Sequence, residues 1–523
     1  MAMDTQTSLR IAGTVFVLLL VRSVIRQRRQ AVIRDILGPE SKSWAFGNLI
    51  DLLLPSTYGL HEFAWTKLFG AVYRIKGCFG QDRLVISDPV ALQHITNSPN
   101  FQLGPVLAVM RSWLYAHGAV ITRHGEQHTR LRGALNVGFT ASAVRRYRPV
   151  FENVAQWMAE QLDSADEVDV SAVLSGGALR AITDVALGCP IEDLPPEFVT
   201  LNTRLLDIAS TRTSGALVFD ALAVHVPKPL LRLAIHLPTP AFRALRGYKF
   251  FSRSEGWRIV KEKLGAPEGA REGDIYSLLL HSGEKDTKKT LLPGDLVAQT
   301  SLILLAGQDT TSNTLAFGLL ELARRPDLQM RLREEIHSTI SGTPAGSPIA
   351  YDTMPLLNAF IKEMLRMYPA AALSERVALE DTVIPLSAPG ITTRSGKKLH
   401  AIPVHKGQVV MLAVAAYQRL DARWGANSEE FDPDRWLDGR VHQGDAIGPY
   451  ANLLSFFAGP HTCLGWRFAI LEMQTVVFKL LAEFSFSVPK NEKGPFRLRL
   501  ATTLLPLDAE GAKGAKLCIR RVV

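Results

Sequence analysis

Phe456-Phe457-Ala458-Gly459-Pro460-His461-Thr462-Cys463-Leu464-Gly465 is a turn-rich stretch that presents one cysteine. A helical pattern opens directly after it at Trp466-Arg467-Phe468-Ala469-Ile470-Leu471-Glu472. Gly459 and Gly465 allow the backbone to fold tightly around the Cys463 sulfur. Backbone N–H groups in such a loop, with the positive end of the following helix, favour thiolate over thiol. That chemistry suits a sulfur axial ligand for a haem iron, where a thiolate donates electron density and favours O–O cleavage. The plainer reading of an isolated cysteine is a buried, inert thiol.

Upstream, Leu302-Ile303-Leu304-Leu305-Ala306-Gly307-Gln308-Asp309-Thr310-Thr311 lies inside a helical pattern running from about Leu296 to Ala323. Gly307, Asp309 and two threonines lower helix propensity where alanine or leucine would raise it. Small side chains at Ala306 and Gly307 let a flat ligand approach the backbone. Asp309 and Thr310 project about 100° apart, so one can face a water chain and the other bound oxygen. A polar kink in a core helix is the alternative.

These two stretches resemble the cytochrome P-450 family. Phe456, Gly459, Cys463 and Gly465 match its haem-binding loop, Phe-x-x-Gly-x-Arg-x-Cys-x-Gly, and His461 stands where arginine is usual. Ala306 to Thr311 match the family's Ala/Gly-Gly-x-Asp/Glu-Thr-Thr motif throughout. The resemblance implies that Cys463 ligates the iron, that Thr310 hydrogen-bonds activated oxygen and that Asp309 helps relay protons. Glu363 and Arg366, an i, i+3 pair, resemble two members of a structural Glu-Arg-Arg triad, with Arg435 in Phe431-Asp432-Pro433-Asp434-Arg435-Trp436 as the third. His128 and Arg132, at i, i+4, are similar to the family's propionate-binding helix, with His128 where tryptophan is common. Arg376 matches a further propionate contact. Each of these alone could equally be a solvated surface group. A neutral imidazole at His461 makes a weaker contact than a bidentate arginine. Its protonation near pH 6.5 would make haem retention more pH-sensitive than in a His461→Arg variant. The matches occur in the family's order and cover about 120 to 475.

The chain has 523 residues, is 47% hydrophobic and carries a net charge of +9. Its four cysteines, Cys78, Cys189, Cys463 and Cys518, are far apart and form no C-x-x-C or C-x-x-C-H. Disulfide scaffolding, a zinc ribbon and covalent haem attachment are thereby disfavoured, so the implied cofactor is haem b. Cys78, Cys189 and Cys518 are read as inert. Positive charge suits an anionic membrane or an acidic protein partner; without a nucleic-acid-binding motif, nucleic acid is set aside.

Ile11 to Val21 form an apolar core flanked by Arg10, Arg22 and Arg26-Gln27-Arg28-Arg29. It is short for a span of about 20 residues, so the arginines would have to snorkel. A cleaved signal peptide is the rival reading, but no small-residue cleavage site follows. The expected organisation is a membrane anchor with a basic flank over 1–30, a hinge over 31–50 around Gly38-Pro39, and a catalytic domain over 51–523. Basic residues after the anchor place that domain in the cytosol, on the endoplasmic reticulum membrane.

Ala71 to Ile75 and Arg83 to Ile86, separated by Gly77 and Gly80, predict a β-hairpin. Helical periodicity dominates from about Ile95 to 370, and short strands return after Phe484. The expected fold is mainly α with small β regions, one large domain, which is also the P-450 fold that the resemblance implies. Gly265 to Gly269 read as an exposed loop.

By resemblance of position, pocket walls come from Pro105 to Tyr115, Leu201 to Ser210, Leu302 to Ala306, Ala370 to Leu373 and Thr502 to Leu505. Leu107, Val109, Met110, Trp113, Leu302, Ala371, Leu373 and Leu504 make that set apolar, with Arg111 as the one charged exception. Such a pocket suits a lipophilic substrate. The resemblance is strongest to fungal microsomal members, which implies a terpenoid of secondary metabolism; fatty acids, sterols and xenobiotics are alternatives. No flavin or nicotinamide motif is present, so electrons must come from an NADPH-cytochrome P-450 reductase, with cytochrome b5 as a second donor. Arg130 and Arg467 are candidate docking groups, and Leu230 to Ile235 a bilayer contact. A reductase-independent haem-thiolate isomerase or dehydratase, and a haem sensor, are the competing classes; Asp309-Thr310 argues against both.

Overall fold

The computed structural model describes residues 31–163, 166–265, 273–282, 291–441, 444, 446–490 and 496–522. The anchor expected over 1–30, and most of the loop expected after Gly265, lie outside the described residues. Six helices build the site: α1 (Pro105–Leu114), α2 (Gly125–Leu135), α3 (Val170–Leu187), α4 (Thr300–Arg324), α5 (Pro355–Met367) and α6 (Trp466–Glu483). Proline at the first position starts α1 and α5, where its missing N–H is an orphan in any case. Asp169 caps α3 by accepting from the Ser171 N–H, and Gly188 ends it in the left-handed region at φ 68°.

Helix α4 is the axis of the fold, buried along most of its length. Two glycines set how closely its neighbours pack. A Cβ on Gly307 would lie 2.6 Å from Ile182 of α3, and one on Gly318 would lie 2.0 Å from the Met364 sulfur of α5. Among the described residues α3 is long and apolar enough to cross a membrane. It is instead a core helix, packed between Arg148–Leu162 and α4.

The expected hairpin is present as β1 (Val72–Lys76) and β2 (Asp82–Ile86), antiparallel with Val72 opposite Ile86. It belongs to a five-stranded sheet that also takes β3 (Phe101–Gln102), β4 (Leu373–Ala378) and β5 (Val409–Ala413), in the order β1-β2-β5-β4-β3. Strand β5 runs parallel to β2 and antiparallel to β4 and is buried on both faces. It therefore shows no polar alternation for a sequence reading to find. Near the C-terminus β6 (Arg497–Leu500) and β7 (Leu504–Leu507) form a hairpin. Strand β8 (Lys516–Arg521) pairs with Phe484–Ser487 and with Glu167–Asp169.

The expected hinge over 31–50 is docked rather than free. Ile33, Ile36 and Leu49 are buried. The Arg74 N–H donates to the Leu37 carbonyl, and the Asn48 N–H to that of Lys76. A Cβ on Gly38 would strike the Arg74 carbonyl at 1.8 Å, so close backbone approach explains this glycine.

Candidate active site

The Cys463 loop is held by its own backbone. The Cys463 N–H donates to the Phe456 carbonyl at 2.8 Å, and the Thr462 N–H to that of Gly459 at 3.1 Å. Gly459 needs to be glycine: φ is 66°, and a Cβ would lie 2.4 Å from the Thr96 carbonyl oxygen. Gly465, expected to serve the same purpose, has an ordinary φ of −87° and would bring a Cβ no closer than 3.7 Å to Phe139. Its contribution is its N–H, which favours the thiolate. Cys463 is accessible from an internal cavity and otherwise enclosed. Burial pushes its thiol pKa up, while the Gly465 N–H and the Arg132 guanidinium oppose that.

The cavity measures about 490 Å³ and is bordered by both the Cys463 loop and α4. Ala306 and Thr310 face it, and the Thr310 hydroxyl donates to the Ala306 carbonyl at 2.8 Å. Asp309 also borders the cavity but is ion-paired with Lys513 at 2.8 Å, from the connection between β7 and β8. Gly307 borders it too, although its small size is demanded by Ile182 behind it.

Cations gather at one side. His128 and Arg132 of α2, Arg376 of β4 and His461 all line the cavity. The His128 and His461 rings are 4.4 Å apart, and His124, one helical turn before His128, lies 6.3 Å from His461. Arg376 donates to the Ser374 hydroxyl at 2.8 Å and sits 4.8 Å over the Phe457 ring. Burial pushes its pKa down to about 10, so it stays charged at neutral pH. Burial, with His128, Arg376, His124 and Arg111 as charged neighbours, pushes His461 down to about 4. The protein's own groups therefore oppose the charging of this ring expected near pH 6.5.

This donor set fits a haem. Cys463 is the one cysteine among the lining residues, the walls are largely apolar, and Arg132 has no carboxylate beside it among the described residues. A family model for cytochrome P-450 matches residues 37–509. The chain belongs to the cytochrome P-450 family.

Similar proteins are named as P-450 monooxygenases from two fungi. Monooxygenase claP of Ampulloclitocybe clavipes is 29% identical over 97% of this chain and 96% of its own. Monooxygenase claU of the same fungus is 30% identical over 95% and 94%. Monooxygenase 91 of Postia placenta is 29% identical over 91% and 92%. This P-450 is a monooxygenase, and its family implies a haem-thiolate cofactor, a redox partner, O₂ and a small-molecule substrate.

Glu363, Arg366 and Arg435 meet in one fully buried cluster of the P-450. The Glu363 carboxylate accepts from Arg366 at 2.8 Å through both oxygens and from Arg435 Nε at 2.9 Å. The Asp432 N–H and Trp436 Nε1 complete it at 2.8 and 2.9 Å. The guanidiniums also cap backbone carbonyls, Arg366 those of Gln418, Ser428 and Glu430, and Arg435 that of Asn427.

All five expected wall segments reach the cavity, but the phase of α1 differs from expectation. Arg111, Leu114 and Tyr115 border it, whereas Leu107, Val109, Met110 and Trp113 do not. Trp113 instead packs edge-on against Phe242 at 5.2 Å. Leu302 and Ala371 line the P-450 cavity; Leu373 and Leu504 do not. Sequence reasoning also passed over Glu472, which is fully buried on α6 with both carboxyl oxygens unpartnered. Burial pushes its pKa well above the usual carboxylate range, and the Thr311 side chain of α4 opposes that.

On the surface Arg130 is partly engaged by Asp295 at 3.4 Å, and Arg467 stacks on Trp466 at 4.1 Å. Leu230, Leu233 and Leu237 are more than half exposed, while Leu231 between them is buried. Burial pushes the Cys189 thiol up to about 11 and raises that of Cys78.

Proposed function

We propose that this P-450 hydroxylates a terpenoid of fungal secondary metabolism, with two electrons from NADPH delivered by an NADPH-cytochrome P-450 reductase and cytochrome b5 as a second donor. The observation that carries the reading is one largely apolar cavity bordered by both Cys463 and Thr310. Its volume is within the range of small-molecule sites. One oxygen atom enters a C–H bond and the other leaves as water. The relatives' names support the monooxygenase class alone.

Iron protoporphyrin IX, held without covalent attachment and with its iron ligated by Cys463, would supply oxygen binding and O–O cleavage. Phe456, Gly459 and Gly465 shape the loop that holds the sulfur. His128, Arg132, Arg376 and His461 line the cavity on the side where they would hold the propionates. Ala306 and Gly307 keep the neighbouring wall low. Thr310 holds a proton at its hydroxyl beside the oxygen site, and Asp309 passes protons to it while Lys513 fixes the carboxylate's direction. Residues 51–523 make up the catalytic domain, onto which the 31–50 segment is docked. An anchor over 1–30 and the exposed leucines at 230, 233 and 237 hold it on the endoplasmic reticulum membrane.

The test is coexpression with a reductase while feeding terpenoids under ¹⁸O₂. Hydroxylated products carrying one labelled atom are expected. Product formation without O₂ or NADPH would overturn the reading. In the same assay Thr310→Ala should keep its haem but divert most reducing equivalents to peroxide, a loss of coupling of roughly 10²-fold. Full coupling in that variant would remove the role given to Thr310.

The His461 ring can offer a propionate one N–H, whereas a planar guanidinium can offer two charge-assisted ones, each about twice as strong as a neutral bond. His461→Arg should therefore slow haem transfer to apomyoglobin at pH 7.5 by roughly fivefold. An unchanged transfer rate would take His461 out of the propionate set.

A further inference from the structure

The helix Pro196–Ser210 is one wall of the cavity, which its residues Leu205, Leu206, Ala209 and Ser210 border. Its buried stripe is Phe198, Asn202 and Leu205, so an amide stands in an otherwise apolar seam. Asn202 is only 2% exposed. Its Nδ2 donates to Gln308 Oε1 of α4 at 2.5 Å, and Gln308 Nε2 donates in turn to the Ser175 hydroxyl of α3 at 2.9 Å. Gln308 is equally buried and stands between Gly307 and Asp309, which border the cavity while Gln308 does not.

An amide in a buried seam costs desolvation unless its partner is in place, and a buried asparagine can fix helix register in this way. A single bond does so here, because Asn202 Oδ1 has no partner among the described residues. Elsewhere this helix is held less specifically. Phe198 packs on Tyr248 and Phe251, a non-directional contact, and the Ala209 carbonyl accepts from the Thr502 hydroxyl at 3.3 Å. Between α3 and α4, by contrast, the close contact of Gly307 with Ile182 leaves no slack. The Ser175–Gln308–Asn202 chain therefore runs from a fixed seam to an adjustable wall. A slide of one residue turns a helix by about 100°, which would carry Leu205 and Leu206 off the cavity.

We infer that the Asn202–Gln308 hydrogen bond seats the wall helix on α4 and so sets the bulk of ligand that the cavity admits. Asn202 and Gln308 are positioning residues for specificity, and neither borders the cavity. The inference rests on the oxygenase reading only in taking the cavity as the space beside the haem; it holds for any substrate class.

Imidazole and clotrimazole each bring a ring nitrogen to a haem iron, the first with little bulk and the second with three aryl rings. The full-length haem protein in detergent micelles would be titrated with both, the Soret shift reporting binding. Asn202→Leu, Gln308→Met and the double variant should bind imidazole as the wild type does, to within about twofold. Clotrimazole should bind all three about fivefold tighter, and equally so, because each variant loses the same bond. The double variant replaces both amides by apolar near-isosteres, so it should load haem and melt no earlier than the wild type. General damage to packing would move both azoles together, whereas a displaced wall separates them. In the double variant, a ratio of the two affinities equal to that of the wild type, or shifted against clotrimazole, would overturn the inference. So would failure of that variant to load haem, because the pair would then hold the fold rather than the wall. Either result leaves the oxygenase reading standing. A wild type that gives no Soret shift with imidazole would overturn both.

Discussion

Cys463→Ala should show no red-shifted Soret band in its reduced carbon monoxide complex and no detectable oxygenation. The red shift requires a thiolate on the iron, and no other cysteine borders the cavity. Cys78 is buried elsewhere and Cys189 is raised to about 11, so neither can substitute. The loop itself should survive the change. Its closing hydrogen bonds run from the Cys463 N–H to Phe456 and from Thr462 to Gly459, and none uses the sulfur. The variant should therefore fold with a thermal midpoint near that of wild-type protein stripped of haem. Cys463→Ser keeps an oxygen at the same place and should give a carbon monoxide band at ordinary, unshifted wavelength. A retained thiolate spectrum in either variant would mean that the assigned ligand is wrong.

Glu363→Ala should fail earlier, at folding. The carboxylate accepts five hydrogen bonds, three of them from two guanidiniums, and all three side chains are fully buried. Removing it leaves two positive charges near each other with only carbonyl groups and the Met367 sulfur for company. Breaking a buried pair in this way costs about 3–5 kcal/mol. Net stability of a folded chain is of order 5–15 kcal/mol, so one such loss is a large share of it. The same groups tie α5 to the segment around Ser428 to Trp436, and that segment leads toward the Cys463 loop. Soluble yield and the haem-to-protein ratio should both fall at least tenfold. Glu363→Gln preserves the shape but turns an N–H₂ toward donors, so it should rescue little. A soluble, haem-loaded Glu363→Ala protein with slow turnover would move the residue from structure to chemistry.

Motif and period made much of this site legible before any coordinates. Cys463, Thr310 and Glu363 are short-range signals: a turn, an interrupted helix and an i, i+3 pair. What stayed hidden was tertiary. Lys513 is 204 residues from Asp309, and no local pattern links them. Arg111 was visible as a residue, but the face of α1 that meets the cavity depends on where Trp113 finds Phe242. Strand β5 escaped notice because it is uniformly buried, and β4 because it is half-buried almost throughout, so neither alternates. Gly307 looked like clearance for a flat ligand, and its tighter constraint proved to be Ile182 on the neighbouring helix.

The Asp309–Lys513 pair bears on protein engineering. The hairpin tip at Thr502 and Thr503 borders the cavity, so exchanging the C-terminal sheet with that of a relative is a natural route to new selectivity. Such a graft also exchanges the counter-ion of Asp309. It disturbs the Asp169 carboxylate as well, which accepts from the Ala515 N–H two residues beyond Lys513. With Asp309 in its proposed relay role, a chimera that ignores Lys513 and Asp169 would alter proton delivery along with substrate fit, and its wasted reducing equivalents would be misread as poor binding. Crossover points belong before β6 and again between β7 and Lys513, so that Asp169, Asp309 and Lys513 all come from the same parent.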